Sequence, residues 1–405
     1  AMTAEPTRRS FLLATGATVA GSVARGYPAN ETLTVGVIGS GGRARHLMHS
    51  LAKVENVRIT AVCDVWDAAL VEGRKLADPK ATATKKYQEL LDRKDVQAVL
   101  IGTPDHWHVA LTVAACEAGK DVYVEKPLTH DLSEGRAVRD AQAKSKRVVQ
   151  VGTQQRSMPH IAKARELVKA GRIGQVVKVR MSWNRNTDRV RRFPLGVDPK
   201  SVDWKTFLGT ARQQPFDEYR FRNWRWFWDF GGGLFTDLMV HWVDVAHWVL
   251  DLDHTHPETA VSIGQHIAAK GVWETPDTVQ TLLTYPGDVQ MHFEGTFSNA
   301  DKGAHIEFLG TEASLYVDRG RFELVPERNK KVKPLSEIVS TNPDFRGADF
   351  YDKPDGELLH LTNWVECVRG RKEPTAPVSA GVSAAAAAHL ANRALRTGQT
   401  AVWKE

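Results

Sequence analysis

From Leu33 onward the apolar residues come in short continuous runs separated by stretches with helical spacing. Leu33–Ile38 is one such run, and the apolar positions of Leu47–Leu51 then follow a helical period. The alternation repeats. The segment VRITAVCD, Val96–Ile101, Asp121–Val124 and Val148–Val151 read as strands, and Val109–Glu117 and Leu132–Ala143 as helices. Nearly continuous apolar strands alternating with helices predict an α/β domain with a doubly wound parallel sheet over residues 31–152. The pattern then changes. Val176–Trp183 reads as a strand, a loop rich in Arg and Trp follows, and a helix begins at Gly231–Gly233. From Glu258 the segments AVSIGQHIAA, TVQTLLTY, VQMHFEGTF, AHIEFLG, ASLYVD and RFELV read as successive strands, with a hairpin turn at Tyr285–Val289. Lys330–Pro354 reads as a polar surface loop. Glu357–Gly370 and Ser383–Gly398 read as two closing helices, the alanines of the second serving tight packing. Residues 153–405 are thus expected to form an α+β domain with an open mixed or antiparallel sheet.

Composition narrows the classes. With 405 residues, 42% hydrophobic and 25% charged, the chain is an ordinary globular protein of two or three domains. The net charge of +6 is dispersed without a Lys/Arg run, so a nucleic-acid partner is not expected. Cys63, Cys116 and Cys367 have no CxxC or zinc spacing; Cys63 and Cys116 lie in apolar runs and read as small core residues, and disulfides do not hold the fold. No apolar run is long enough to span a bilayer.

The N-terminal segment is distinct. Arg8 and Arg9 precede Ser10-Phe11-Leu12 and a weakly apolar, acid-free run over Phe11–Ala24. This pattern over residues 1–26 is that of a twin-arginine export signal; the alternative is a disordered tail with two chance arginines. The expected location is the periplasm or another exported compartment, with no membrane association after export.

After the first strand, GSGGRA places Gly39, Ser40, Gly41, Gly42, Arg43 and Ala44 in a G-x-G-x-x-A pattern. Gly39 permits a tight turn, Gly41 lets the backbone approach a pyrophosphate, and Ala44 allows close helix–strand packing. Asp64 ends the second strand at the spacing expected for an acid on a ribose 2′-hydroxyl, which favours NAD over NADP. Its alternative role is a helix cap. Two further strand ends carry chemistry. GTPDHWH holds Thr103, Pro104 and His106, the last two expected at the nicotinamide end, while His108 begins the next helix. VEKP sets Glu125 beside Lys126, which is either a surface pair at a turn or a fixed cation at the mouth of the nucleotide site.

In the second domain, FRNWRWFWDFGGG offers Asn223, Trp224 and Arg225 for sugar hydroxyls and C–H faces. Strand-like alternation sends Trp226 and Trp228 to one side, as sugar contacts or as core. On the helix that follows, Asp237, His241 and Asp244 lie within roughly 60° of one another at about 100° per residue. Two carboxylates around an imidazole would raise its basicity. Three readings compete there: a general base, a metal site completed by a residue such as His106, and a buried structural His–Asp pair.

Together VGVIGSGGRA, VCDV, GTPDHWHVALTVAACEAGKDVYVEKPL, QVGTQQR and GGGLFTDLMVHWVDVAHW resemble one oxidoreductase family, that of glucose-fructose oxidoreductase, inositol dehydrogenase and the rhizopine-catabolism proteins (Gfo/Idh/MocA). The resemblance covers nearly all of the chain after residue 30. It implies a Rossmann domain that holds NAD and a second domain whose open sheet makes subunit contacts, hence a homo-oligomer, a dimer or tetramer. The chemistry implied is hydride transfer at a hydroxyl-bearing carbon of a sugar or cyclitol. Lys126, Asp237 and His241 become the catalytic residues, and no metal is expected. Gln154 is then placed with the cofactor and Arg156 with the substrate. One departure stands out: the family often has Gly two residues after the aspartate, where this chain has Met239.

Export and NAD are in tension, because no large free NAD pool exists outside the cytoplasm. NAD is therefore expected to bind tightly and to be regenerated within each cycle. That leaves an oxidoreductase with a second acceptor, or a redox-neutral glycoside hydrolase that oxidises, eliminates, adds water and returns the hydride. A non-catalytic sugar-binding protein is a third possibility, against which the intact Lys126, Asp237 and His241 speak.

Overall fold

The computed structural model describes residues 31–186, 190, 194–339 and 355–403. Residues 1–26, expected to be an export signal, lie outside the described residues, as does most of the polar stretch before Pro354.

The first domain runs β1 (Leu33–Ile38), α1 (Gly42–Leu51), β2 (Val57–Cys63), α2 (Asp67–Lys75), β3 (Thr82–Thr84), α3 (Tyr87–Leu91), β4 (Ala98–Ile101), α4 (His108–Glu117), β5 (Asp121–Val124), α5 (Gly135–Ser145) and β6 (Val149–Val151). Its six strands are all parallel in the order β3-β2-β1-β4-β5-β6. The helical pattern over Leu132–Ala143 resolves into a 3₁₀ turn at Leu132–Glu134, closed by an Asp131–Glu134 capping box, and then α5. The strand order reverses direction between β1 and β4, and the crevice at their carboxyl ends is where such sheets bind ligands.

The second domain continues α6 (Pro159–Lys169), β7 (Val176–Asn186), α7 (Trp204–Leu208), α8 (Glu218–Arg222), a π-helical turn over Phe235–Met239, α9 (Val240–Leu250), β8 (Thr259–Gln265), β9 (Thr278–Tyr285), β10 (Val289–Thr296), β11 (Ser298–Gly310), β12 (Ala313–Asp318), β13 (Arg321–Pro326), β14 (Leu335–Ile338), α10 (Gly356–Gly370), α11 (Val378–Thr397) and β15 (Ala401–Val402). The nine-stranded sheet has the order β14-β13-β12-β11-β7-β10-β9-β8-β15. Only the β7–β10 pair is parallel. The short edge strand β14 lies inside the stretch expected to be loop, paired antiparallel to Arg321–Leu324 of β13.

The two C-terminal helices cross the division expected at residue 152. Leu361, Trp364, Val365 and Val368 of α10 share one core with β1, α1 and Tyr123 of the parallel sheet. Val378 and Val382 of α11 join the core on that sheet's other face, while Ala384, Ala387, Ala388, Leu390 and Ala391 join the core of the second domain. Small residues make the approach possible. A Cβ on Gly381 would lie 2.6 Å from a Val151 methyl, and one on Gly135 would lie 2.7 Å from Val382. The buried alanines of α11 thus serve packing between domains.

Candidate active site

The nucleotide cleft starts at the turn after β1. Gly39 has φ +81°, and a Cβ there would come within 2.8 Å of the Thr103 amide nitrogen, so the turn requires glycine. Gly41 caps α1 without any side-chain bond, and a Cβ on Gly41 or Gly42 would meet nothing within 4 Å. The first-turn N–H groups of α1 therefore open onto a cavity of about 480 Å³, also lined by Arg43, Asp64, Thr103 and Pro104. A dinucleotide pyrophosphate fits this cradle: no side chain competes for the helix terminus and no acid stands in its first turn. Ala44 packs beneath it, since a Cβ on Gly102 would lie 2.8 Å from the Ala44 Cβ.

Asp64 borders the cavity, where the ribose was expected, and it does not cap α2, whose N-cap is Trp66 without a side-chain bond. Its carboxylate lines the cavity, and it also accepts the Trp66 amide at 2.9 Å at the start of α2 and the Ser40 amide at 2.6 Å. Ser40, expected at the cofactor, is instead buried; its hydroxyl donates to the Ala69 carbonyl at 2.8 Å and ties the turn to α2.

A second cavity of about 620 Å³ adjoins the first, sharing Gly42, Arg43, Thr103 and Trp224 with it. Glu125, Lys126, Gln154, Asn223, Arg225, Asp237 and His241 all line this second space. Lys126, at the end of β5, donates from Nζ to Asp237 Oδ1 at 2.9 Å and to the Asp237 carbonyl at 2.7 Å. Arg225 Nε donates to the same Oδ1 at 3.1 Å. Glu125 accepts Arg43 Nε at 2.8 Å and Gln154 Nε2 at 3.2 Å. Burial acts to raise the Glu125 pKa, but Arg43 and Lys126 outweigh it and hold the carboxyl below its ordinary range. Arg43 also pairs with Glu357, a buried acid of α10 that sequence spacing gave no reason to place here.

His241 stacks on Trp183 with ring centroids 5.2 Å apart. Its basicity is lowered, not raised: burial dominates, Lys126 and Arg319 add to it, and Asp237 opposes only in part. The expected second carboxylate is turned elsewhere. Asp244 receives Arg156 Nε at 2.7 Å, and Arg156 also binds Asp253 at 2.6 and 2.8 Å. Arg156 is therefore no substrate ligand; it is 2% exposed and fastens the start of the second domain to α9. The helix also departs from a regular α period, because Asp237 sits in the π-helical turn and His241 in the α-helix after it. Such π turns re-aim side chains and recur at functional sites.

His106 is a second correction. Its Nε2 bonds the Phe207 carbonyl at 2.8 Å and its ring packs on Phe207 and Phe230, so it lines neither cavity and cannot complete a metal set with Asp237 and His241. Its neighbour Asp105 occupies the cavity instead. Burial pushes the Asp105 carboxyl up to about 8, against the pull of Lys126 and Arg225. His108 does begin α4, and its ring bridges the Thr103 and Pro127 carbonyls at 2.9 and 2.7 Å, fixing the two strand-end loops relative to each other. Among the tryptophans, the expected alternation fails because residues 224–226 form a 3₁₀ turn. Trp226 stacks on Trp273 at 4.3 Å and borders the cavity, whereas Trp228 lies under Arg396.

A doubly wound domain with an open glycine cradle, abutting a Lys–Asp–His cavity from a second domain, defines a nucleotide-dependent oxidoreductase. Comparison with known proteins agrees. Residues 33–153 match the oxidoreductase family with NAD-binding Rossmann fold and residues 161–316 match the GFO/IDH/MocA C-terminal domain. The two matches together span more than half of the chain, which belongs to the Gfo/Idh/MocA family and is an NAD-dependent oxidoreductase. It is 27% identical over 293 residues to scyllo-inositol 2-dehydrogenase (NAD(+)) of Bacillus subtilis, covering 71% of each chain. It is 33% identical over 118 residues to a glycosyl hydrolase family 109 protein of Solibacter usitatus, covering 27% of each. A solved levoglucosan dehydrogenase in complex with NADH and levoglucosan shares the fold at a TM-score of 0.71 and 18% identity, over 93% of this chain and 100% of the other.

Proposed function

We propose that this oxidoreductase removes a hydride from a hydroxyl-bearing carbon of a sugar or cyclitol, with NAD retained through the cycle. The observation that carries the reading is the convergence of Lys126, Asp237 and His241 on a cavity continuous with the glycine cradle. Bound NAD supplies the hydride acceptor. Lys126 donates a hydrogen bond to the reacting oxygen and offsets its developing negative charge. Asp237 holds the Lys126 ammonium in place from across the domain boundary. His241, neutral because it is buried among cations, accepts the hydroxyl proton. Asn223, Trp224 and Arg225 face the rest of the ring. The dehydrogenase similarities over most of the chain support the substrate class. The test is to release and identify the cofactor by denaturation, then follow nicotinamide absorbance while sugars and cyclitols are added, with product identification.

A second reading, redox-neutral glycoside hydrolysis, is favoured by the partial likeness to the glycosyl hydrolase family 109 protein. Cleavage of an aryl glycoside without net NADH, and with solvent deuterium entering the carbon next to the oxidised one, would select it.

Two further parts of the reading concern context. Arg8-Arg9 and the run after them direct export by the twin-arginine route; replacing both by Lys should strand the protein in the cytoplasm on fractionation. The outer face of the nine-stranded sheet is a contact between copies of the chain. Val261 and Leu282 pair there beside Ile263, and all three are exposed apolar side chains. Light scattering should give a dimer or tetramer, and Ile263→Glu should lower the mass.

A further inference from the structure

Between β7 and the π-helical turn, one stretch of the second domain leaves its own sheet and lies against the first domain. Val202 forms a single antiparallel bridge pair with Trp66, and the Asp203 amide donates to the Val65 carbonyl at 2.9 Å. Val65 and Trp66 directly follow Asp64, so this pin sits just past the carboxyl end of β2. Two side chains reinforce it. Phe221 meets the Trp66 ring edge-on at 5.5 Å, and the Arg222 guanidinium lies 4.8 Å from the centroid of that ring. A second pin sits beyond β4. His106 Nε2 and Trp107 Nε1 both donate to the Phe207 carbonyl, at 2.8 and 2.9 Å. Gly209 lets the chain pass there, since a Cβ on it would lie 2.6 Å from a Trp107 ring carbon.

The stretch is stiff as well as pinned. Asp203 caps α7 by accepting the Thr206 amide at 3.0 Å, and Asp217 caps α8 by accepting the Arg220 amide at 2.9 Å. Phe207 packs on Trp204 and on Phe221 with ring centroids 5.0 Å apart in each case, and on Phe230 at 5.2 Å. These rings join the core of the second domain. The two pins stand at the ends of β2 and β4, the strands on either side of β1 in the parallel sheet. The stretch therefore spans the carboxyl end of β1, where the glycine cradle lies. Thr206, Phe207, Phe221 and Trp224 line the same cavity of about 480 Å³ as Gly39, Gly41 and Asp64.

We propose that residues 197–226 form a strap that closes over the adenosine half of bound NAD and turns the dinucleotide into a non-exchanging prosthetic group. The proposal rests on the reading that NAD is retained through the cycle, and it names what retains it. The first domain supplies the phosphate cradle; the strap, which lies wholly outside the residues matching the NAD-binding family model, supplies the cover. Its aromatic rings give the adenosine an apolar surface to rest on. NAD can leave only when the strap lifts from its pins, so strap opening limits dissociation.

The test follows NAD itself. The purified NAD-loaded protein is mixed with excess isotopically labelled NAD, and the bound cofactor is analysed by mass after gel filtration and denaturation. Label should enter the unaltered protein over hours. It should enter about tenfold faster in Phe221→Ala, which removes a cavity wall and the Trp66 contact together. Asp203 does not line the cavity, so Asp203→Pro acts on the strap alone. Its φ is −75° and Val202 is extended, so proline fits the backbone while the donor to Val65 is lost. Exchange should again be about tenfold faster, with NAD affinity changed less than the rate, because opening speeds entry as well as exit. Asp203→Asn keeps both the amide and the cap and should exchange as slowly as the unaltered protein. Entry of label into the unaltered protein within seconds overturns the proposal, as does slow exchange left intact in Phe221→Ala and Asp203→Pro. Thermal melts establish that each variant is folded. Should neither fold, hydrogen exchange on the unaltered protein decides: the Asp203 amide should open no faster than NAD exchanges, and faster opening overturns the proposal. Nicotinamide absorbance is followed separately. Slow exchange of a cofactor that no sugar or cyclitol reduces overturns the hydride-transfer reading and leaves the strap standing; fast exchange with reduction does the reverse.

Discussion

Lys126 Nζ lies 2.9 Å from Asp237 Oδ1 and 2.7 Å from the Asp237 carbonyl, so the end of a strand in one domain is fastened to the π-helical turn of the other. Lys126→Ala removes both the donor to the reacting oxygen and this tie. Turnover should fall by about 10²–10⁴-fold. Steady-state kinetics on any accepted sugar checks it, and near-native turnover would refute the assignment.

His241→Ala should cost a similar factor, about 10²–10⁴, while NAD stays bound, because the glycine cradle is untouched. The depressed basicity of His241 has a sign that kinetics can read. A base must be unprotonated, so kcat/KM should hold its plateau below pH 6.5, the ordinary histidine value, and fall only in more acidic solution. An acidic limb centred above that value would contradict the burial assigned here. Chelators should leave activity intact; loss restored by a divalent ion would favour a metal at Asp237 and His241.

Arg156→Met tests the structural role of a residue that its motif assigned to substrate. It leaves Asp244, 0% exposed, without its ionic partner. Breaking a buried pair in this way costs about 3–5 kcal/mol. The unfolding free energy from urea melts should drop by that amount with KM little changed. A raised KM at unaltered stability would restore Arg156 to the substrate.

Three buried histidines set an acid limit on stability. Burial lowers His106 and His360 to about 4 and His247 to about 3. In the unfolded chain each titrates near about 6.5, so below that pH the unfolded state binds more protons than the native one. Stability is complete above the unfolded value and is lost as pH falls toward the folded values. Each group contributes at most about 1.4 kcal/mol per pH unit in that window. Urea melts from pH 7 to 5 should show the decline. His247→Gln should flatten it by about one proton, and an unchanged slope would mean that His247 does not titrate this way.

Asp64→Ala should weaken NAD retention and relax its preference over NADP. The same change frees the Ser40 and Trp66 amides, so a modest loss of thermal stability should accompany it. Recovery of NADP alone from the unaltered protein would reverse the assignment.

Five of the six parallel strands were legible because each is an apolar run, and Asp121–Val124 coincides with its segment; the sixth, Thr82–Thr84, is too short and polar to carry such a run. The glycine turn was legible for the same kind of reason, since Gly39 answers a backbone requirement visible at one position. Asp237 and His241 could be grouped from periodicity because they are four apart on one helix. What surrounds them could not. Asp244 was drawn toward His241 by an ideal 100° period, but it faces Arg156, 88 residues earlier in the chain. His106 drew attention as an imidazole, yet an aromatic cage of Phe207 and Phe230 takes it, and the inconspicuous Asp105 reaches the cavity. Arg319, Trp183 and Glu357 come from remote strands and a C-terminal helix, where no local pattern marks them.

Helix α11 belongs to the cores of both domains at once. Swinging the domains apart as rigid bodies would strip its alanine and valine face from one of those cores, a loss on the scale of unfolding. The shared helix favours opening of the cleft at its lining loops, such as the turn carrying Trp224 and Arg225, over rotation of whole domains.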